Sequence, residues 1–141
     1  MRARIGREPT TAFEVVVRGD DGVPVVVRNE PLSRDGTPMP TRFWLVDPAI
    51  STQVARLEAA GGVRAAEAAV DAEALAAAHA RYAAERETAL PADHRGPRPF
   101  GGVGGTRRGV KCLHAHYAWF LAGGDDPVGR WVEARLHEAD A

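Results

Sequence analysis

The segment Lys111-Cys112-Leu113-His114-Ala115-His116 gathers the chain's single lysine, its single cysteine and two of its five histidines into consecutive positions. If this segment is a regular helix, Cys112, His116 and Trp119 share one face. His114 then falls about 200° around the helix from Cys112, unless the helix begins later. Cys112 and His116 are therefore expected to touch. A thiol and an imidazole in contact support two chemistries. They can ligate a metal such as zinc together, or the imidazole, the helix N-terminus and Lys111 can stabilise a thiolate. The competing reading is packing, with Cys112 a small buried apolar residue and the histidines ordinary polar core or surface groups.

Just upstream, Arg95–Lys111 (RGPRPFGGVGGTRRGVK) carries five basic residues and no acid among its glycines. Glycine lets backbone N–H groups approach an anion, a helix N-terminus adds partial positive charge, and arginine forks bind phosphate bidentately. The expected ligand-binding set is Gly104, Gly105, Arg107, Arg108 and Lys111, taking a phosphate-bearing small molecule. The spacing is neither the Walker pattern nor the dinucleotide fingerprint. A solvated Arg/Gly loop is the competing reading. Asp47 is the expected third metal group beside Cys112 and His116, with His114 as the alternative. Three mixed S, N and O ligands leave one position open, as in catalytic zinc sites. Asp47 also has a simpler role available, as the N-cap of a helix that begins at Pro48.

The elements that must position these residues read as follows. Ala12–Arg18 and Val23–Arg28 are β-branched runs around Gly19-Asp20-Asp21-Gly22, which predicts a hairpin. Thr41–Val46 predicts a third antiparallel strand after the turn-rich Ser33–Pro40 segment. Ile50, Val54 and Leu57 stripe a first helix that ends at Gly61-Gly62, and the Ala-rich Val63–Ala89 continues helically, with Asp71 as an internal cap. Val110–Leu121 returns to helical spacing, and Asp126-Pro127 restarts a last helix. The fold class is α+β, a three-stranded antiparallel meander packed in two layers against four to five helices. Residues 1–11 read as an N-terminal arm, 12–46 as the meander, 47–90 as helices, 91–109 as a Gly/Arg loop, 110–136 as C-terminal helices and 137–141 as a frayed tail, all within one domain. Phe43, Trp44, Trp119, Phe120 and Trp131 are expected to face the core, which argues against a base-stacking platform.

The 141 residues suit one domain, and 18 basic against 19 acidic side chains point to no nucleic acid or anionic membrane surface. A lone cysteine makes no internal disulfide, and neither an export signal nor a membrane-spanning run is visible, so a cytoplasmic protein is expected. The sequence does not specify an oligomeric state.

Asp35–Leu45 (DGTPMPTRFWL), Gly101–Gly105 (GGVGG), Val110–His116 (VKCLHAH) and Ala122–Gly129 (AGGDDPVG) together resemble the bacterial, mainly actinobacterial, domain of unknown function 501 family. The resemblance spans most of the chain and implies no known activity. Members of that family are often encoded near a septum-formation initiator and an exopolyphosphatase, so the resemblance implies a contextual hint toward phosphate chemistry or division. Many relatives carry further cysteines, a pair in the first hairpin and one in a Thr-Cys-Pro after the third strand. Arg18–Gly22 and Val46-Asp47-Pro48 stand in those places here. A zinc site built on those thiols is therefore either lost in this chain or reduced to Asp47, Cys112 and His114 or His116.

Two functions are compatible with these residues. One is a small anion-recognising enzyme with a Cys–His site, metal-bound or thiolate. The other is a non-enzymatic module whose basic loop docks an acidic partner. A pocket joining the loop to the cysteine favours the first.

Overall fold

The structure is a computed structural model that describes residues 13–33, 35–106 and 108–140. The expected arm at residues 1–11 lies outside the described residues. Strand β1 (Phe13–Arg18) and strand β2 (Pro24–Asn29) form the hairpin, and β3 (Phe43–Leu45) pairs antiparallel with β2 to complete a three-stranded sheet in the order β1-β2-β3. The hairpin closes where Gly22 takes φ +80°, its N–H donating to the Gly19 carbonyl at 2.9 Å. Val26 and Leu45 are register partners on the face that joins the helical core. Val15, Val27 and Trp44 are partners on the opposite face, so Val27 is 1% exposed although it lies on the outer side.

The chain turns from β3 into helix α1 (Pro48–Ala59) at Asp47, whose Oδ1 accepts the Ile50 N–H at 3.0 Å. The expected single long helix is two: α2 (Gly62–Ala69) and α3 (Ala72–Thr88), separated at Val70 because the Asp71 carboxylate takes the Ala74 N–H and starts a new helix. After the loop, α4 (Leu113–Leu121) begins later than expected, and α5 (Pro127–Asp140) follows. The result is the expected α+β architecture.

Helix α4 holds the two layers together. Six of its nine residues are buried, because one side meets the sheet and α3 through Ala115, Ala118 and Trp119, and the other meets α1, α2 and α5 through Leu113 and Tyr117. Trp44, expected in the core, is instead 45% exposed, since β3 turns it outward, and its indole N–H donates to the Asn29 side chain.

The glycine-rich loop folds back as a 3₁₀ turn (Val103–Gly105) against α3. His79 anchors it: Nδ1 accepts the Val103 N–H at 3.1 Å, which leaves Nε2 to donate to the Gly109 carbonyl at 2.8 Å. The ring is thus held neutral, and burial pushes its pKa below the usual value. Arg86, 3% exposed, ties the same loop by donating to the Pro40 and Gly101 carbonyls. A Cβ on Gly102 would lie 2.3 Å from His79 Nδ1. Gly102→Ala should therefore lower stability by about 1–3 kcal/mol, the usual cost of forcing atoms into a packed interior. Gly96→Ala, on the exposed part of the loop, should cost far less. Urea denaturation of both variants measures the difference, and equal stabilities would contradict this anchoring.

Candidate functional site

Cys112 is the N-cap of α4, with extended φ −151° and ψ 125°, and its side chain makes no capping hydrogen bond. A cap in extended conformation breaks the helical spacing that places Cys112 over His116. The cap comes instead from another helix. Glu58, on the last turn of α1, accepts the Leu113 N–H through Oε2 at 2.8 Å, while its Oε1 lies 3.1 Å from His114 Nδ1. His114 Nε2 faces the Ser51 carbonyl at 3.1 Å. One ligand-capable atom from each of Glu58, Cys112 and His114 lies within 4.8 Å of the other two, and all three residues are half-buried.

Both imidazole nitrogens of His114 thus face oxygens that accept hydrogen bonds. A ring so placed is satisfied fully only as the imidazolium, which donates from both nitrogens. Its pKa is raised from 6.5 to about 9, chiefly by the hydrogen bond with Cys112 and further by the Ser51 carbonyl and the Glu58 charge, against the opposing effect of burial.

His116 is elsewhere. It is fully buried, its Nδ1 is 2.7 Å from Asp126 Oδ2, its ring packs edge-on to His79, and its Nε2 has no hydrogen-bond partner among the described residues. Asp126 also accepts the Val128 N–H and so fixes the start of α5. Asp47 is occupied as the cap of α1 and is not part of the Glu58–Cys112–His114 group. The expected grouping of Cys112 with His116 and Asp47 is corrected accordingly: the helix starts one residue after Cys112, and Asp47 turns back onto its own helix.

A cavity of about 370 Å³ opens beside the cluster, lined by β3 (Phe43, Trp44, Leu45), Gly104, Lys111, Cys112 and His114. It joins part of the glycine loop to the thiol. The expected anion-binding set is divided by the fold. Gly104 and the exposed Lys111 line this cavity, whereas Arg108 lines a second one, of about 480 Å³, with Glu67 and His79. The Gly105 N–H already donates to the Gly102 carbonyl at 3.0 Å. Arg107 lies outside the described residues. The loop carries no acid of its own, but helices supply them. Glu87 of α3 pairs with Arg98, and Glu67 of α2 accepts the Val110 N–H at 2.8 Å beside Arg108.

Residues 15–134 match the family described as "Protein of unknown function (DUF501)". The chain belongs to that family. No curated protein and no solved structure matches it. In this DUF501 chain, the quoted Val110–His116 motif spans the start of α4, so its cysteine and first histidine fall on the Glu58 site and its second histidine falls in the interior.

The raised pKa of His114 carries a sign. Because the folded value of about 9 exceeds the ordinary 6.5, its contribution to stability is fully present below pH 6.5 and is lost as pH rises through about 9. In chelator-treated protein, the stability difference between wild type and His114→Gln should be largest in mildly acidic solution and shrink above pH 9. Urea midpoints across that range check it, and a gap that widens with pH would contradict the assignment.

Proposed function

We propose that the cavity beside Cys112 is the working site of a small enzyme that takes an anionic, phosphate-bearing small molecule. The observation that carries this reading is the convergence of Gly104, Lys111, Cys112 and His114 on one cavity, with Glu58 behind them. Lys111 supplies a mobile cation at the rim. His114 supplies a second positive charge and a proton held by Glu58 and the Ser51 carbonyl. Cys112 supplies sulfur at the N-terminal end of α4, unspent on capping the helix. A free thiol at the working site suits a reducing, cytoplasmic setting.

A second reading, a docking module for an acidic partner, is favoured by a different surface. Arg95 and Arg108 are exposed on the glycine loop, and Phe100 on the same loop is 63% exposed. That surface does not include Lys111's cavity, so the two readings separate by mutation. Calorimetric titration with pyrophosphate should show binding that weakens with salt, falls about tenfold or more in Lys111→Ala, and survives in Arg108→Ala. Loss of binding in Arg108→Ala alone would sink the enzyme reading, as would no binding to wild type.

A further inference from the structure

We propose that Glu58, Cys112 and His114 form a binding site for a divalent, borderline-soft metal ion of the zinc class, with three protein ligands and a fourth position open to the cavity. The first support is convergence of donor types. Thiolate, imidazole and carboxylate bring one donor atom each to within 4.8 Å of the others. Tetrahedral zinc, with ligand bonds of about 2.0–2.3 Å, sets neighbouring donor atoms roughly 3.3–3.8 Å apart. His114 Nδ1 and Glu58 Oε1, at 3.1 Å, already stand close to that spacing, and the Cys112 sulfur lies within 4.8 Å of a donor atom from each residue.

The second support is the orientation of His114. The Ser51 carbonyl accepts only, so Nε2 carries a hydrogen and Nδ1 is the nitrogen left for a cation. A ligating histidine usually donates its other N–H to a carbonyl or carboxylate in this way, which fixes the tautomer and the ring plane. Nδ1 and Glu58 Oε1 then stand 3.1 Å apart, and two lone pairs at that separation require a positive charge between them. A proton fills that place in the metal-free protein. A metal ion replaces it when the thiolate adds a third donor.

The third support concerns what holds the ligands. Glu58 is anchored through its other oxygen by the Leu113 N–H, leaving Oε1 toward the site. Cys112 is not consumed as a cap, since Glu58 performs that task. Its sulfur, with an imidazole and a carboxylate, selects zinc-like ions over magnesium or calcium, which prefer oxygen alone. The fourth side faces the cavity that Lys111 also lines, so an anion held there could reach the metal.

This inference shares its location with the proposed function, but metal binding and pyrophosphate binding are measured separately, and either can fail while the other stands. The test is a cobalt(II) titration of the chelator-treated full chain, followed by optical absorption, with zinc as competitor. One equivalent should bind with a sulfur-to-cobalt charge-transfer band that zinc displaces. Cys112→Ser should abolish the band, and His114→Ala and Glu58→Gln should weaken cobalt binding about 100-fold or more, at least the loss typical of disturbing a metal's outer shell. Asp47→Asn, which keeps a capping side chain, should leave it unchanged. Glu58→Gln retains an amide oxygen to accept the Leu113 N–H, so a weakened site there reads the lost carboxylate rather than a lost helix. Absence of the band in wild type, or its persistence undiminished in both His114→Ala and Glu58→Gln, would overturn the site.

Discussion

The carboxylate of Glu58 is the constraint from which the site follows. Helix α4 begins at a residue whose side chain does not cap it, so its first N–H groups need acceptors from elsewhere. Glu58 reaches over from the last turn of α1, takes the Leu113 N–H with one oxygen and faces the His114 ring with the other. Hydrogen bonds to charged groups contribute about 1.5–3 kcal/mol, and the lower end applies here because the Glu58 side chain is 26% exposed. That modest interaction does three things at once. It docks α1 on α4, it turns the imidazole so that its other nitrogen meets Ser51, and it relieves Cys112 of a capping role. Since α4 is packed by both apolar clusters, fixing its start also fixes how the sheet and the helices present the cavity.

The glycine loop is shaped by a different need. Gly101 and Gly102 let the chain pass against its own Gly105 carbonyl and against the His79 ring at distances that leave no room for a Cβ. The Gly102 and Gly105 N–H groups are spent within the turn, and the Val103 N–H on His79. The loop therefore works as a packed strut from α3 to the start of α4. It delivers Gly104 and Lys111 to one cavity while sending Arg108 to another. Charge that is contiguous in sequence is thus partitioned in space.

What could be read from the sequence was what is decided locally. The hairpin turn at Gly19–Gly22, the caps at Asp47 and Asp71 and the restart at Asp126-Pro127 depend on residues within a turn of one another, and each element begins there in the structure. The start of α4 was not legible, because Val110-Lys111-Cys112 fits a helical pattern and the group that ends that pattern lies 55 residues away. That single displacement moved the histidine partner of Cys112 from His116 to His114. The weak signal present was on α1, where Ser51, Val54 and Glu58 share a face, and Val54 is in the core. The glycines were misleading for a related reason. Close approach to a side chain and approach to an anion require the same residue, and the histidine that decides between them belongs to a helix more than twenty residues upstream.

The central claim is that Cys112 works with His114 and Glu58 rather than with His116. The most direct measurement is the alkylation rate of Cys112 against pH in chelator-treated protein, for wild type, His114→Gln and His116→Gln, with circular dichroism confirming that each variant is folded. A sulfur hydrogen-bonded to the His114 ring predicts that the profile changes in His114→Gln and stays near wild type in His116→Gln. A profile that moves only when His116 is replaced would contradict the account.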